Sequence, residues 1–534
     1  MNFDTTYNPY YSKRNTVVAK NGMVATSTPL AAQAGLEMLK KGGNAIDAAI
    51  ATAATLTVVE PTANAIGGDG FSIVWFEGEM YGLNGSGFSP KDISIEKLKA
   101  LGHETMPIHG TAPINVPGIP ATWAALNKRF GKLSLLECLT PAIEYARNGY
   151  PVSPTQAKYW TRILKRYETQ LDGSEYAPWF KQFTIDGRAP KAGEMFYLKD
   201  QADTLESIGK TNAESFYRGD IAKKIASYVK EHGGFLSEED LADFEPEWTN
   251  PISVNYKGYD VWEMPPNAQG IVTLLALNIL KGFDFTTRDD VETYHKQFEA
   301  MKLAFAVAKE HVTDPKFMKV DVESLLSDEY ADKLRAQIKD TATKVDVLPS
   351  PGGTVYLAAA DKDGNMVSYI QSTYMDFGSG IVVPGTGVAL HNRGADFSLD
   401  ENHINALAPR KRTYHTIMPG FMTKNGQAVG PFGVMGKYMQ PQGQLQVVMN
   451  TVDFGLNPQM ALDAPRWQFT NGMSFDIENT TGMHLVEGLM AKGHEMTIAN
   501  DPFLFGRGQI IWRDENDVLF GATESRTDGQ VAVY

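Results

Sequence analysis

The chain has 534 residues, 43% of them hydrophobic and 21% charged, with a net charge of −14. That is long enough for a large folded core and ordinary enough to exclude a dominant disordered fraction. The acidic balance argues against nucleic-acid partners and anionic membrane surfaces, which need a basic face, and the single cysteine, Cys138, excludes an internal disulfide or a multi-cysteine metal site.

In chain order, the N-terminus lacks the apolar core of a secretory signal. The most hydrophobic stretch, AIDAAIATAATLTVVEP, is too short and alanine-rich to span a bilayer. The expectation is a soluble, cytoplasmic protein. Pro29 opens a helix that Gly42-Gly43 ends. Asn44 suits the N-cap of the next, with Asp47 near its positive end. FSIVWFEG and MYGLNGSG read as strands with a turn at Gly78. Residues 120–147 read as helical, with Cys138 on an apolar face.

Helical periodicity dominates from 150 to 340, where Ser237 and Asp240 resemble a capping box. From 354 the pattern is strand, DKDGN turn and strand. Further strands are expected near 387–391 and 417–429, helices near 439–454 and 458–463, then closing strands. Mixed helix and sheet layers follow. HExxH, CxxC and Walker A patterns are absent, and the ten histidines show no metal-ligand spacing. No metal or cofactor is expected. NGSGF and FGSGI both fail the GxSxG elbow.

The chemistry centres on Gly352-Gly353-Thr354, at the mouth of an apolar strand. An N-terminal threonine joins a hydroxyl nucleophile to an α-amine base that titrates at about 7.7–8.0. Thr354 gains that amine only if the Gly353–Thr354 bond breaks. Two glycines give the backbone freedom to bring the hydroxyl to the preceding carbonyl. A turn entering a hairpin explains the same residues without chemistry.

Other stretches decide between these. KGGNAIDAAIATAATLTVVEPTANAIGGDGF (41–71), GGFLSEEDLADFEPEW (233–248), PPNAQGIVTLLALNIL (265–280), TVYLAAADKDGNMVS (354–368), FGSGIVVPGTGVALHNRGADFS (377–398) and DFGLNPQMALDAPRW (453–467) are collinear with one family. The chain resembles the γ-glutamyltransferases, including the cephalosporin-acylase-like members. The resemblance implies an α+β fold, the αββα four-layer sandwich of the N-terminal-nucleophile hydrolases. It implies a precursor that cuts itself between Gly353 and Thr354. Residues 1–353 would form a large subunit and 354–534 a small one, held together as a heterodimer. It implies acyl transfer through an ester on Thr354, with a small amide such as glutathione as substrate.

The resemblance also places a pocket. Ser372 keeps a hydroxyl beside the nucleophile, and Asp396 keeps an acidic position. Tyr374 stands for an asparagine, His415-Thr416 for a serine pair, and Arg393 for a Glu or Gln that helps hold the substrate α-amine. The arginine that grips the α-carboxylate falls near Ser86, and no arginine lies between 77 and 100. Arg393 is expected either to pair with Asp396 or to grip the far carboxylate of another acyl group, such as glutaryl. Gly433 and Val434 are expected to supply the oxyanion N–H groups, and ENHINALAPRKR (401–412) a short cover. Three readings stay open: a γ-glutamyl enzyme, a glutaryl or cephalosporin-type acylase, and an uncut non-catalytic binding protein.

Overall fold

The computed structural model describes residues 14–346 and 353–534. Cys138 lies inside the helix Leu135–Asn148, and burial pushes its thiol above the ordinary range. The Asn44 cap forms as a full capping box on a wholly buried helix, Ala45–Val59, and Ser237–Asp240 forms another. The stretch 120–147 divides into Ile119–Phe130 and Leu135–Asn148, because Gly131 ends the first and Ser134 caps the second. Among the described residues, no helix is long and apolar enough to cross a membrane.

Two seven-stranded sheets organise the rest. In the first, the order is Gln530–Val533, Gly22–Thr26, Val355–Asp361, Met366–Ser372, Asp69–Phe76, Glu79–Gly85 and Glu247–Thr249. Every pairing in it is antiparallel. Thr354 stands immediately before the third of these strands. The second sheet runs Val17–Ala19, Leu519–Thr523, Arg507–Arg513, Gln427–Met435, Gly420–Lys424, Tyr259–Glu263 and Ile252–Tyr256. Its strands at 252–263 lie inside the region whose helical periodicity hides them, since each is only five residues long.

Period-two alternation separates the faces of each strand. Val355, Leu357 and Ala359 join the helices Pro29–Lys40, Ala45–Val59 and Leu135–Asn148 in one apolar cluster. Tyr356, Ala358 and Ala360 turn the other way. They pack with Met23, Phe71 and Ile73 of their own sheet and with Phe421, Met435 and Ile511 of the second. The second sheet's opposite face, through Met422, Phe432 and Ile510, meets the helices Gly270–Leu280, Val291–His311 and Met439–Val452. The nucleophile candidate is therefore fixed at the end of a strand that is paired on both sides and covered on both faces.

Candidate active site

Thr354 is 1% exposed. Its hydroxyl lies 2.7 Å from the carbonyl oxygen of Gly353, to which it donates. The Ser372 hydroxyl donates to the same oxygen at 2.8 Å, and the two hydroxyl oxygens are 3.2 Å apart. Ser372 closes the neighbouring strand Met366–Ser372, so ladder pairing sets this spacing: Val355 stands opposite Gln371. Packing holds the joint too, since a Cβ on Gly353 would stand 3.1 Å from the Ala63 backbone. Gly352 lies outside the described residues.

Tyr374 links this pair to Asp396. Its backbone N–H donates to Ser372 Oγ at 2.7 Å, and its hydroxyl donates to Asp396 Oδ1 at 2.8 Å. It holds a left-handed φ of 77°, costly for a residue with a bulky Cβ substituent. Tyr438 adds a second, longer donor to Asp396 Oδ1 at 3.4 Å, while Asp396 Oδ2 is buried with no hydrogen-bond partner among the described residues. Burial raises the Asp396 pKa, against the pull of Lys437 and Arg393. Behind it, Asn405 from the 401–412 segment donates to the Asp396 backbone carbonyl at 2.8 Å and to Thr413 Oγ1 at 2.9 Å.

Arg393 is fully buried, but its partner is Asp69 and not Asp396. Its Nε and Nη2 donate to the two Asp69 oxygens at 3.1 and 3.3 Å, and Nη1 donates to Thr416 Oγ1 at 2.9 Å. His415 Nε2 lies 2.8 Å from Asp69 Oδ2, and His391 Nδ1 lies 3.6 Å from it. Burial alone would raise the Asp69 pKa; the Arg393 charge, then His415, hold it well below the carboxylate range instead. His415 is pushed down to about 4, by burial first and by Arg393 second. No sequence signal singles out Asp69. IGGDGF looks like a glycine turn, and only the pairing of Ser372 with Asp69 across adjacent strands brings it to the site.

Gly433 and Val434 are ladder residues of the strand Gln427–Met435, opposite Gln509 and Gly508. Gly508 exchanges both its backbone groups with Glu524, so the alternation turns Gln509 toward Gly433. The Gly433 N–H is thereby spent on the sheet, and Val434 packs in the apolar cluster beneath the helices. The two residues expected to serve an oxyanion are thus a ladder residue and a core residue. The strand instead ends three residues on, at Gly436 (φ 139°) and Lys437 (φ 54°), and the helix Met439–Val452 begins. Lys437 is 2% exposed, and its Nζ sits 4.6 Å from the centre of the Tyr374 ring.

The sequence segment around Ser86 carries no arginine, but the fold brings one there: Arg412 Nε donates to the Ser86 carbonyl at 3.1 Å while the same guanidinium pairs with Glu247. Ser86 Oγ donates to Asn84 Oδ1 at 2.7 Å and accepts from Asn267 Nδ2 at 3.2 Å. Elsewhere, His295, Glu299 and His494 come together in a way their sequence spacing concealed. Lys302 pairs with Glu299 at 2.5 Å, so an ammonium already stands on the carboxylate a metal would need.

The geometry defines a class: an α+β protein with a buried hydroxyl pair at a strand-end joint and charged side chains beside it. The Gamma-glutamyltranspeptidase family profile matches residues 31–534. The glutathione hydrolase-like YwrD proenzyme of Bacillus subtilis is 38% identical over 96% of this chain and 98% of its own length. The oxamate amidohydrolase proenzyme of Klebsiella pneumoniae is 33% identical over 97% and 99%. A crystal structure of cephalosporin acylase from Bacillus halodurans superposes with a TM-score of 0.98 at 57% identity, covering 100% of this chain and 99% of that one. The chain belongs to the gamma-glutamyltranspeptidase family.

Proposed function

We propose that the protein is a self-processing acyl-transfer enzyme of the N-terminal-nucleophile type, acting on γ-glutamyl-type amides through Thr354. The observation that carries this is the pair of hydroxyls on one carbonyl oxygen: Thr354 Oγ1 at 2.7 Å and Ser372 Oγ at 2.8 Å from Gly353 O. In processing, Thr354 Oγ1 bonds to the Gly353 carbonyl carbon, the C–N bond breaks, and the hydroxyl proton passes to the nitrogen. Ser372 donates to the oxygen on which negative charge develops. Water then cleaves the ester, leaving a carboxylate on Gly353 and a free amine on Thr354. In turnover that amine takes the Oγ1 proton as the hydroxyl attacks a substrate amide. The leaving amine departs, and water or another amine resolves the ester.

Residues 1–353 and 354–534 are the two fragments on this reading. The helix–sheet–sheet–helix packing supports the αββα layering, and the proenzyme names of the relatives support the cut. The glutathione hydrolases among the relatives make glutathione-like amides the first substrates to try. We assign the oxyanion donors in turnover to the backbone N–H groups of Gly436 and Lys437, where the ladder stops and a helix starts. The compartment we propose is the cytoplasm. Intact mass spectrometry tests the core claim: wild type yields two fragments split before Thr354, and Thr354→Ala yields one inactive chain. An uncut wild-type chain that consumed amides at full rate would reject it.

A further inference from the structure

Self-cleavage and turnover use the same hydroxyls but not the same carbonyl. The spacing of Thr354 and Ser372 comes from the ladder between their strands, and both reactions need it. The Gly353 carbonyl serves only the first, because the cut turns it into a carboxylate. The ladder does not hold Gly353, which precedes the strand Val355–Asp361. A turn from far away in the chain, residues 60–65, stands against it.

That turn touches the reacting pair from both sides. A Cβ added to Gly353 would stand 3.1 Å from Ala63 Cα and 3.2 Å from the Thr62 carbonyl oxygen. The Ala63 carbonyl accepts from the N–H of Thr373, the residue after Ser372, at 3.4 Å. The chain then continues behind Ser372: the Gly68 N–H donates to the Ala65 carbonyl at 3.0 Å, and a Cβ on Gly68 would stand 2.4 Å from the Ser372 carbonyl oxygen.

Two side chains that the chemistry does not use lock this turn. Asn64 is fully buried, and its Nδ2 donates to the carbonyls of Leu56 and Glu60 at 3.1 and 2.9 Å, at the C-terminal end of the helix Ala45–Val59. Its Oδ1 accepts from Gln371 Nε2 at 2.7 Å, and the same nitrogen donates to the Ala53 carbonyl at 2.8 Å. Gln371 is also fully buried, stands opposite Val355 and directly precedes Ser372. The surroundings, Ala53, Leu56, Val355 and Val367 among them, are apolar. Amides are costly in such a layer unless they bond to one another, so the link is specific. It ties the turn to the strand that carries Ser372.

We propose that the Asn64–Gln371 link is a positioning device for self-cleavage. It holds the 60–65 turn against Gly353 and so keeps the scissile carbonyl within reach of Thr354 Oγ1, whereas turnover does not need it. This deepens the acyl-transfer reading and rests on it.

The experiment follows the full-length chain by intact mass against time. It then measures kcat/KM per cut molecule on γ-glutamyl and glutaryl p-nitroanilide. Gln371→Met keeps the side chain's length and removes its donors. It should slow the cut by about 10- to 100-fold, the scale of an ångström's misplacement, while cut molecules keep kcat/KM within about 2-fold of wild type. Ala63→Gly leaves both amides in place and only loosens the turn. It should slow the cut by about 2- to 5-fold, and it decides the matter if Gln371→Met does not fold. Val447→Ala, a core truncation in the helix Met439–Val452 beneath the other sheet, controls for lost stability and should cut at the wild-type rate.

Cleavage at the wild-type rate in either turn variant would overturn the proposal. So would slowing that Val447→Ala reproduces, or an equal loss of kcat/KM in cut Gln371→Met, since each makes the link merely structural. Cut wild type that turned over neither anilide would reject the acyl-transfer reading, while the cleavage rates would still decide the positioning claim. Wild type that was never cut would reject both.

Discussion

Two buried ionic groups lie on either side of the Tyr374 ring, and they are built to opposite ends. Asp69 meets Arg393, His415 and His391 within one shell, and Arg393 also donates to Thr416. Asp396 and Lys437 share the same ring, and among the described residues Asp396 Oδ2 has no hydrogen-bond partner and Lys437 no ion pair. The first group braces the loop carrying residues 391–396 against the strand Asp69–Phe76. In the second, Lys437 and Asp396 each oppose the shift that burial imposes on the other, without forming an ion pair among the described residues. The difference shows why charge alone does not reveal a binding residue: Arg393 is the more conspicuous cation in the sequence and the less available one in the fold.

The comparison can be broken most directly at Asp69. Asp69→Asn should destabilise the protein by about 3–5 kcal/mol, because it strands a buried guanidinium. Denaturant unfolding would measure it, and a loss below about 1 kcal/mol would mean the group is not a brace. Asp396→Asn should act the other way round. In the same unfolding measurement, stability should change by less than about 1 kcal/mol, since one carboxylate oxygen already lacks a donor.

The smallest effect is in pH. Burial lowers Lys437 from 10.5 to about 8, Asp396 opposes that shift, and Arg393 adds to it. The faces around it otherwise carry Tyr374 and Tyr438, whose hydroxyls burial raises well above their usual range. The folded state holds the lysine proton less tightly than the unfolded chain, so stability increases between about 8 and 10.5. In the braced group, His415 is lowered from 6.5 to about 4, so its contribution is present above about 6.5 and lost as pH falls toward 4. Stability that stayed flat from pH 6.5 to 4 would remove His415 from the brace.

Much of the architecture was legible because local signals agreed with it. Caps at Asn44 and Ser237 and the DKDGN turn each stood where the residues implied. The site was legible in its membership and less so in its pairings. Ser372 meets Thr354 directly and Tyr374 connects it to Asp396, but Arg393 turns from Asp396 to Asp69, a contact between residues 324 positions apart, where His415 and Thr416 also bind. Strand register creates that neighbour, and no spacing in the sequence encodes it. The oxyanion expectation rests on a motif match alone. Gly433 looks free as a glycine, but its Cα faces the Tyr356 ring and its N–H belongs to the ladder, whereas the strand end at Gly436–Lys437 is a fact of topology.

The order of strands in the first sheet has a consequence for what the scission can accomplish. Segments from before and after residue 353 alternate across it: Gln530–Val533, then Gly22–Thr26, then Val355–Asp361 and Met366–Ser372, then Asp69–Phe76. The second sheet mixes the two origins as well. The halves are thus woven through shared backbone ladders, and pulling them apart would expose raw strand edges on both. A cut before Thr354 would liberate an amine without liberating a piece, and neither length made by itself would have a finished sheet to fold into.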